Sequence, residues 1–367
     1  MTSGGTDLLV VGGGPAGLAL GIRARLAGLA TVVLERFRPP VDKACGEGLM
    51  PDAVARLREI GVEPRGLPFR GIRYFDGNVV AEGLFPHAGG LGVRRTELHQ
   101  ALVRRAEEVE VDLRWGVKAE GLEEDGVRTS QGTLKARWIA GADGLRSGVR
   151  QWAGLEAEPA PWRRFGVRRH FAMGPWSEFV EVYWGPACEA YVTPVSEGEV
   201  GIALLWSGAK ANFDSLLAKI PALEARVAGV PAASRDRGAG PFHQRVRAGR
   251  RGNVALVGDA AGYLDAITGE GLAVAFHESA ALIAAIVAGD LGRYETACRR
   301  INRLPNTMTS VVLALERRPW LRDRAIRALA AEPALFSRLL GIHARTLPPR
   351  RLGMDGALRL AWRLVAA

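Results

Sequence analysis

Apolar and polar positions divide the chain into three textures. In the first, an apolar run at Leu8–Val11 meets a glycine-rich turn, an alanine-rich periodic stretch from Ala16 to about Gly28, and a second apolar run at Thr31–Leu34 that ends on Glu35. Short unbroken apolar runs suit strands buried in a parallel sheet, and the stretch between them suits a helix packed on it. In the second texture, from Arg163 to about Gly240, apolar and polar residues alternate over four runs: Phe165–Met173, Glu178–Gly185, Cys188–Val195 and Glu199–Trp206. Alternation of period two with turns such as Ser196-Glu197-Gly198 predicts an antiparallel sheet, to which Val62–Ala88 contributes further strands. After Gly289 the third texture is helical and rich in arginine.

The first turn has a specific chemistry. Gly12 permits the tight bend, Gly14 lets a pyrophosphate approach the backbone, and Gly17 lets helix and strand pack closely. The helix opened by Pro15 and Ala16 presents free N–H groups and a positive dipole end to phosphates. Glu35, beside Arg36, stands where an acid accepts the hydroxyls of an adenosine ribose. Strand, turn, helix, strand and acid appear in order, and they predict dinucleotide binding.

Composition narrows the picture. The net charge of +10 raises the question of nucleic acid, but only five of the 49 basic residues are lysines, and the arginines are scattered without a stripe or aromatic interleaving. Nucleic-acid binding is not expected. Cys45, Cys188 and Cys298 are isolated, which predicts neither a disulfide framework nor a metal site and suits a reducing, cytoplasmic setting. No apolar run approaches the length of a membrane span, and Leu8–Ile22 is interrupted by Gly12–Gly14 and Pro15.

Three later segments decide between nucleotides. Gly92–Ala106 places Arg94 and Arg95 at a helix start, with Leu98 and Leu102 on its buried face. Gly141-Ala142-Asp143-Gly144 follows a strand at about Trp138–Ala140. Gly258-Asp259 follows the strand Val254–Val257 and opens a loop through Gly269-Glu270-Gly271 into a long helix. Singly, Asp143 and Asp259 could cap turns and Arg95 could be solvated. Together, in this order, they resemble the flavoprotein hydroxylase superfamily (group A flavin monooxygenases) and its geranylgeranyl-reductase branch, over roughly Asp7–Gly289.

The resemblance implies an α/β fold: a discontinuous Rossmann-like FAD domain of the glutathione-reductase type (residues 1–60, 90–160 and 245–290), an inserted antiparallel-sheet substrate domain (61–89 and 161–244), and a helical C-terminal region (291–367). It implies FAD as cofactor and NADH or NADPH as reductant. Arg95 and Asp143 would lie along the FAD chain, Gly258 and Asp259 at the ribityl hydroxyls, and Gly269, Gly271 and Leu272 under the flavin ring. The loop Val41–Pro51 would run along the flavin, with Cys45 and Gly46 facing the cofactor and Pro51 starting a helix.

Candidate catalytic residues are Cys45, Glu47, Tyr191 and His170. The alternatives are a packed thiol, a salt-bridged loop carboxylate, ordinary sheet packing and a structural histidine in a strand. The Cys45-Gly46-Glu47-Gly48 loop is similar to that of polyprenyl and menaquinone reductases. Gly262 and Ala266 stand where many aromatic hydroxylases carry histidine and proline. Halogenation is not expected, because no Trp-x-Trp-x-x-Pro is present and Lys43 has no halogenase-like context. The reading is an FAD-dependent oxidoreductase acting on a hydrophobic small molecule, by monooxygenation of a polyketide- or lipid-like aromatic or by reduction of C=C bonds in an isoprenoid. A rival is the flavin-free prenyl-lipid carrier of the GDP-dissociation-inhibitor type, which does not need the set Gly12, Gly14, Gly17, Glu35, Asp143 and Asp259. The last stretch carries Leu358, Ala361, Trp362 and Val365 on one helical face and arginines on another, a pattern that suits packing or peripheral membrane contact.

Overall fold

The structure, a computed structural model, describes residues 5–159 and 162–353. Its first layer is a mainly parallel sheet in the order Arg250–Arg251, Val254–Leu256, Gly132–Gly141, Thr6–Val11, Thr31–Glu35, Asp112–Trp115. Leu8 lies opposite Trp138 on one side and Thr31 on the other. This central position is why Leu8–Val11 is an unbroken apolar run: both faces are covered. The helices Pro15–Leu26, Arg95–Glu108 and Gly271–Val287 pack together over one face, with Leu98 and Leu102 in the core as expected.

The second layer is a seven-stranded sheet in the order Arg237–Ala239, Arg164–Phe171, Glu199–Ser207, Cys188–Ser196, Val180–Gly185, Gly71–Asp76, Val79–Leu84. The four alternating runs are strands, and the segment before Ala88 supplies the last two. One junction departs from the antiparallel expectation: Val180–Gly185 runs parallel to Gly71–Asp76. A hairpin forces antiparallel pairing, whereas these two strands are separated in the chain by first-layer elements from Arg95–Glu108 to Gly132–Gly141 and by strands of their own sheet. Both sheet faces are covered. The helices Phe213–Leu217 and Pro221–Val227 pack on one, and residues such as Ile326, Phe336 and Leu340 of the C-terminal helices pack toward the other.

Those C-terminal helices, Gly292–Glu316, Pro319–Ala331 and Pro333–His343, are fastened to the sheet edge. Arg322 donates two hydrogen bonds to the Asp76 carboxylate (2.8 and 3.1 Å), and the Leu84 N–H donates to Ser337 Oγ (3.0 Å). Pro305 lies inside the first of them. A proline leaves the carbonyl four residues back without its helical partner, and here Arg345 donates to that Ile301 carbonyl (2.6 Å). Among the described residues no helix is long and apolar enough to cross a membrane. The amphipathic stretch from Leu358 to Val365 lies outside the described residues.

Candidate active site

The nucleotide turn is built as its glycines require. Gly12 has φ +112°, and a Cβ there would meet the Ala142 carbonyl at 2.4 Å. A Cβ on Gly17 would sit 1.8 Å from the Gly12 carbonyl oxygen, so only glycine lets the helix approach the strand. A Cβ on Gly14 would meet only the Arg95 guanidinium, at 3.9 Å, which leaves room for a ligand. The helix beginning at Pro15 has no side-chain cap, and its first N–H groups remain available to an anion. Glu35 ends the second strand, with its carboxylate accepting from the N–H groups of Gly13 (3.0 Å) and Phe37 (3.1 Å).

Orphaned polar atoms test the fit to FAD. Arg95 is buried, with one terminal nitrogen unpaired. Burial lowers its pKa, opposed by Cys45, Asp42, Glu47 and Asp259. One Asp143 oxygen accepts from the Val149 N–H (3.2 Å) and the other has no partner. Burial raises the Asp259 carboxyl, opposed by Lys43, Arg95 and Arg150. Buried polar atoms left unpaired by the protein are costly, and a phosphate chain with hydroxyl groups would satisfy them.

The loop between the second strand and Pro51 is clamped at both ends. Asp42 accepts from Arg168 and from Arg237 Nε (3.0 Å). At the other end Glu47, with φ +61°, is buried. Its carboxylate accepts from the Arg95 N–H (2.7 Å) and shares a hydrogen bond with His170 Nε2. The imidazole Nδ1 is in turn bonded to Ser234 Oγ (2.7 Å), and the Gly46 carbonyl accepts from Thr193 Oγ1 (2.7 Å). Lys43, Ala44, Cys45 and Gly46 are thereby held against the cavity wall. Burial pushes the Cys45 thiol up, with Arg95 pulling it down. Proline 51 opens the helix Pro51–Arg58, as its position suggested.

Of the candidate catalytic and cofactor-binding residues, all but Gly17 and His170 lie on one continuous cavity of about 1520 Å³. His170 is wholly buried behind the loop, where it bonds Glu47 and does not reach the wall. The Tyr191 hydroxyl donates to the Ile267 carbonyl (2.7 Å) in the loop before the long helix. Gly269 has φ +69°, and the helix Gly271–Val287 starts without a side-chain cap. Beyond this loop the cavity widens into an apolar chamber walled by Ile72, Tyr74, Val182, Trp184 and Leu205 of the sheet and by residues of all three C-terminal helices. Trp184 and Trp206 line the cavity, whereas Trp176 donates to Glu181 (2.8 Å) and Trp162 packs at a tilt against His243.

Sequence reasoning noted Glu270 only as part of its motif and missed His343 and Thr268, which lie with it at the loop before Gly271–Val287, and Glu278, which accepts from the Gly258 N–H (2.7 Å). Only Glu270 belongs to a recognisable motif, as the middle residue of Gly-Glu-Gly. The others carry no spacing that could mark them.

The family model described as an FAD binding domain matches residues 5–181. A 3-(3-hydroxy-phenyl)propionate/3-hydroxycinnamic acid hydroxylase of Mycobacterium sp. (strain JLS) is 28% identical across 94% of this chain and 67% of its own. A menaquinone reductase of Mycobacterium tuberculosis is 33% identical across 45% of this chain and 41% of its own. The chain thus spans about two thirds of the length of that hydroxylase. A flavoprotein/dehydrogenase structure from Cytophaga hutchinsonii shares the fold, with a TM-score of 0.82 over 98% of both chains at 17% identity. The nucleotide end of the cavity and these matches agree: the chain is an FAD-dependent oxidoreductase similar to the flavoprotein hydroxylases.

Proposed function

We propose that the chain uses FAD and NADH or NADPH to hydroxylate a hydrophobic aromatic molecule of polyketide or lipid-like character. The observation that carries this reading is the continuity of the FAD end with an apolar chamber between the sheet and the C-terminal helices. FAD held there would supply the redox chemistry between a nicotinamide donor and oxygen or substrate. The chain's own residues hold and shield it. Arg95 and the free N–H groups after Gly14 would hold the diphosphate, Asp259 would hold the ribityl chain, and the start of Gly271–Val287 would offer backbone donors to the ring. The apolar wall excludes water from the reacting centre. Burial pushes the Tyr74 phenol up to about 12, so at neutral pH it stays a donor able to orient an oxygen of the substrate.

A second reading, reduction of a C=C bond, is favoured by the position of Cys45 on the cavity wall. Its thiol stays protonated through burial and could deliver a proton to the reduced carbon. One experiment separates the two. The reduced holoenzyme is mixed with candidate lipid phenols or polyprenyl compounds under labelled oxygen. Label in the product establishes hydroxylation, and substrate-dependent flavin reoxidation without oxygen establishes reduction.

A further inference from the structure

The loop Asp265–Gly271 is short of bonds of its own. The Ile267 N–H donates to the Asp265 carboxylate (3.1 Å) and the Gly269 N–H to the Ala266 carbonyl (3.0 Å). The C-terminal helices supply further bonds. His343, the last residue of Pro333–His343, bonds the Thr268 carbonyl through Nε2 (3.1 Å). A carbonyl only accepts, so Nε2 carries the proton. Its Nδ1 comes within 3.2 Å of the Glu270 carboxylate, and both side chains are buried. Thr309, on Gly292–Glu316, shares a hydroxyl hydrogen bond with Thr268 (3.0 Å). Arg345 closes the frame by bonding the carbonyl that Pro305 frees, which fixes the turn after His343 to the long helix.

We propose that His343 is a positioning residue for the flavin, acting through Thr268 and Glu270. By holding the Thr268 carbonyl it fixes the backbone of the loop, and its Nδ1 lies 3.2 Å from a buried Glu270 oxygen, beside the first turn of Gly271–Val287, that has no hydrogen-bond partner within the protein. Without it, the freed carbonyl and the nearby carboxylate oppose the extra negative charge of reduced FAD more than they oppose the oxidised form. The same helices wall the substrate chamber through Met308, Val312 and Leu340. The flavin loop and any chamber occupant therefore bear on one support.

The inference rests on the FAD reading and is tested on the reconstituted holoenzyme. Apoprotein is titrated with FAD, and the midpoint potential is measured by dye equilibration for wild type, His343→Ala, His343→Gln and Glu270→Gln. His343→Ala should lower the ratio of reduced to oxidised FAD affinity by about five- to tenfold, the scale of one partly buried charge near a helix end. His343→Gln keeps a donor for Thr268 and should recover part of that loss. Glu270→Gln leaves helix docking intact and should shift the potential the opposite way. An unchanged potential in both His343→Ala and Glu270→Gln overturns the proposal, and Glu270→Gln alone decides it if His343→Ala does not fold. Wild-type protein that takes up no FAD would instead defeat the family reading.

Discussion

Glu47 shows why a residue's role was only half legible. Its place beside Cys45 in a glycine-flanked loop marked it for attention, but its partner His170 lies 123 positions away. The carboxylate occupies a slot made by Gly201, where a Cβ would stand 3.0 Å from Oε2. It also caps from outside a helix with no cap of its own, Arg95–Glu108, through the Arg95 N–H. Caps and buried hydrogen bonds each contribute about 1–2 kcal/mol. Glu47→Ala should therefore cost about 2–4 kcal/mol in urea unfolding and weaken FAD binding, because Arg95 would lose its anchor. His170→Ala should weaken FAD less than Glu47→Ala does, and the double variant should cost less than the sum of the two. A turnover pH profile that changes with His170→Ala while FAD affinity holds would return His170 to the chemistry.

At the scale of elements, the strand–turn–helix–strand unit was legible because every residue in it answers a local steric or phosphate requirement. The supports of the second nucleotide motif were not, because they are single carboxylates in helices and strands. Glu278 sits on Gly271–Val287 between the Gly258 N–H and Asn302 Nδ2 (2.7 Å each), and burial pushes it up to about 7. Glu189 faces Arg164 in a cluster with Asp265 and Glu316, and burial pushes it up to about 8 despite the arginine. A carboxyl raised above its unfolded value of 4.5 holds its proton in the native state while the unfolded chain has released it. Stability then falls as pH rises from about 4.5 toward 7 or 8. Denaturant midpoints measured across that window should decline with pH, and Glu278→Gln, which cannot ionise, should flatten the lower part of the decline. Arg164 joins two strands of the sheet, the flavin loop and the helix Gly292–Glu316. Its replacement by methionine leaves Asp265 and Glu316 without their buried cationic partner and should destabilise by about 3–5 kcal/mol, the usual cost of breaking a buried ionic pair from one side.

At the scale of the whole molecule, three textures predicted three regions but not how they enclose a space. The arginine-rich C-terminal texture read as helical, with packing or membrane contact expected of its last stretch. In the structure part of that charge points at the sheet, as Arg322 does at Asp76, while the intervening apolar residues wall the chamber. The chamber wall on Pro319–Ala331 is remote in sequence from the glycine turn, so a change there can be chosen that spares the residues proposed for FAD. Ala325 lies on Pro319–Ala331 and lines the chamber, far along the chain from the glycine turn and the Asp259 motif. Ala325→Phe puts a ring into space that a substrate needs and touches none of the residues assigned to FAD. Overpacking there costs about 1–3 kcal/mol if the wall cannot yield, so the folded fraction is checked first by thermal unfolding. FAD affinity should stay within about twofold of wild type, since the change is remote from the FAD residues. The KM for a hydrophobic substrate should rise about tenfold or more, in line with losing the burial of one or two methylene groups. Unchanged KM with a correctly folded, FAD-loaded variant would place substrate binding outside the chamber and remove the observation on which the proposed function rests.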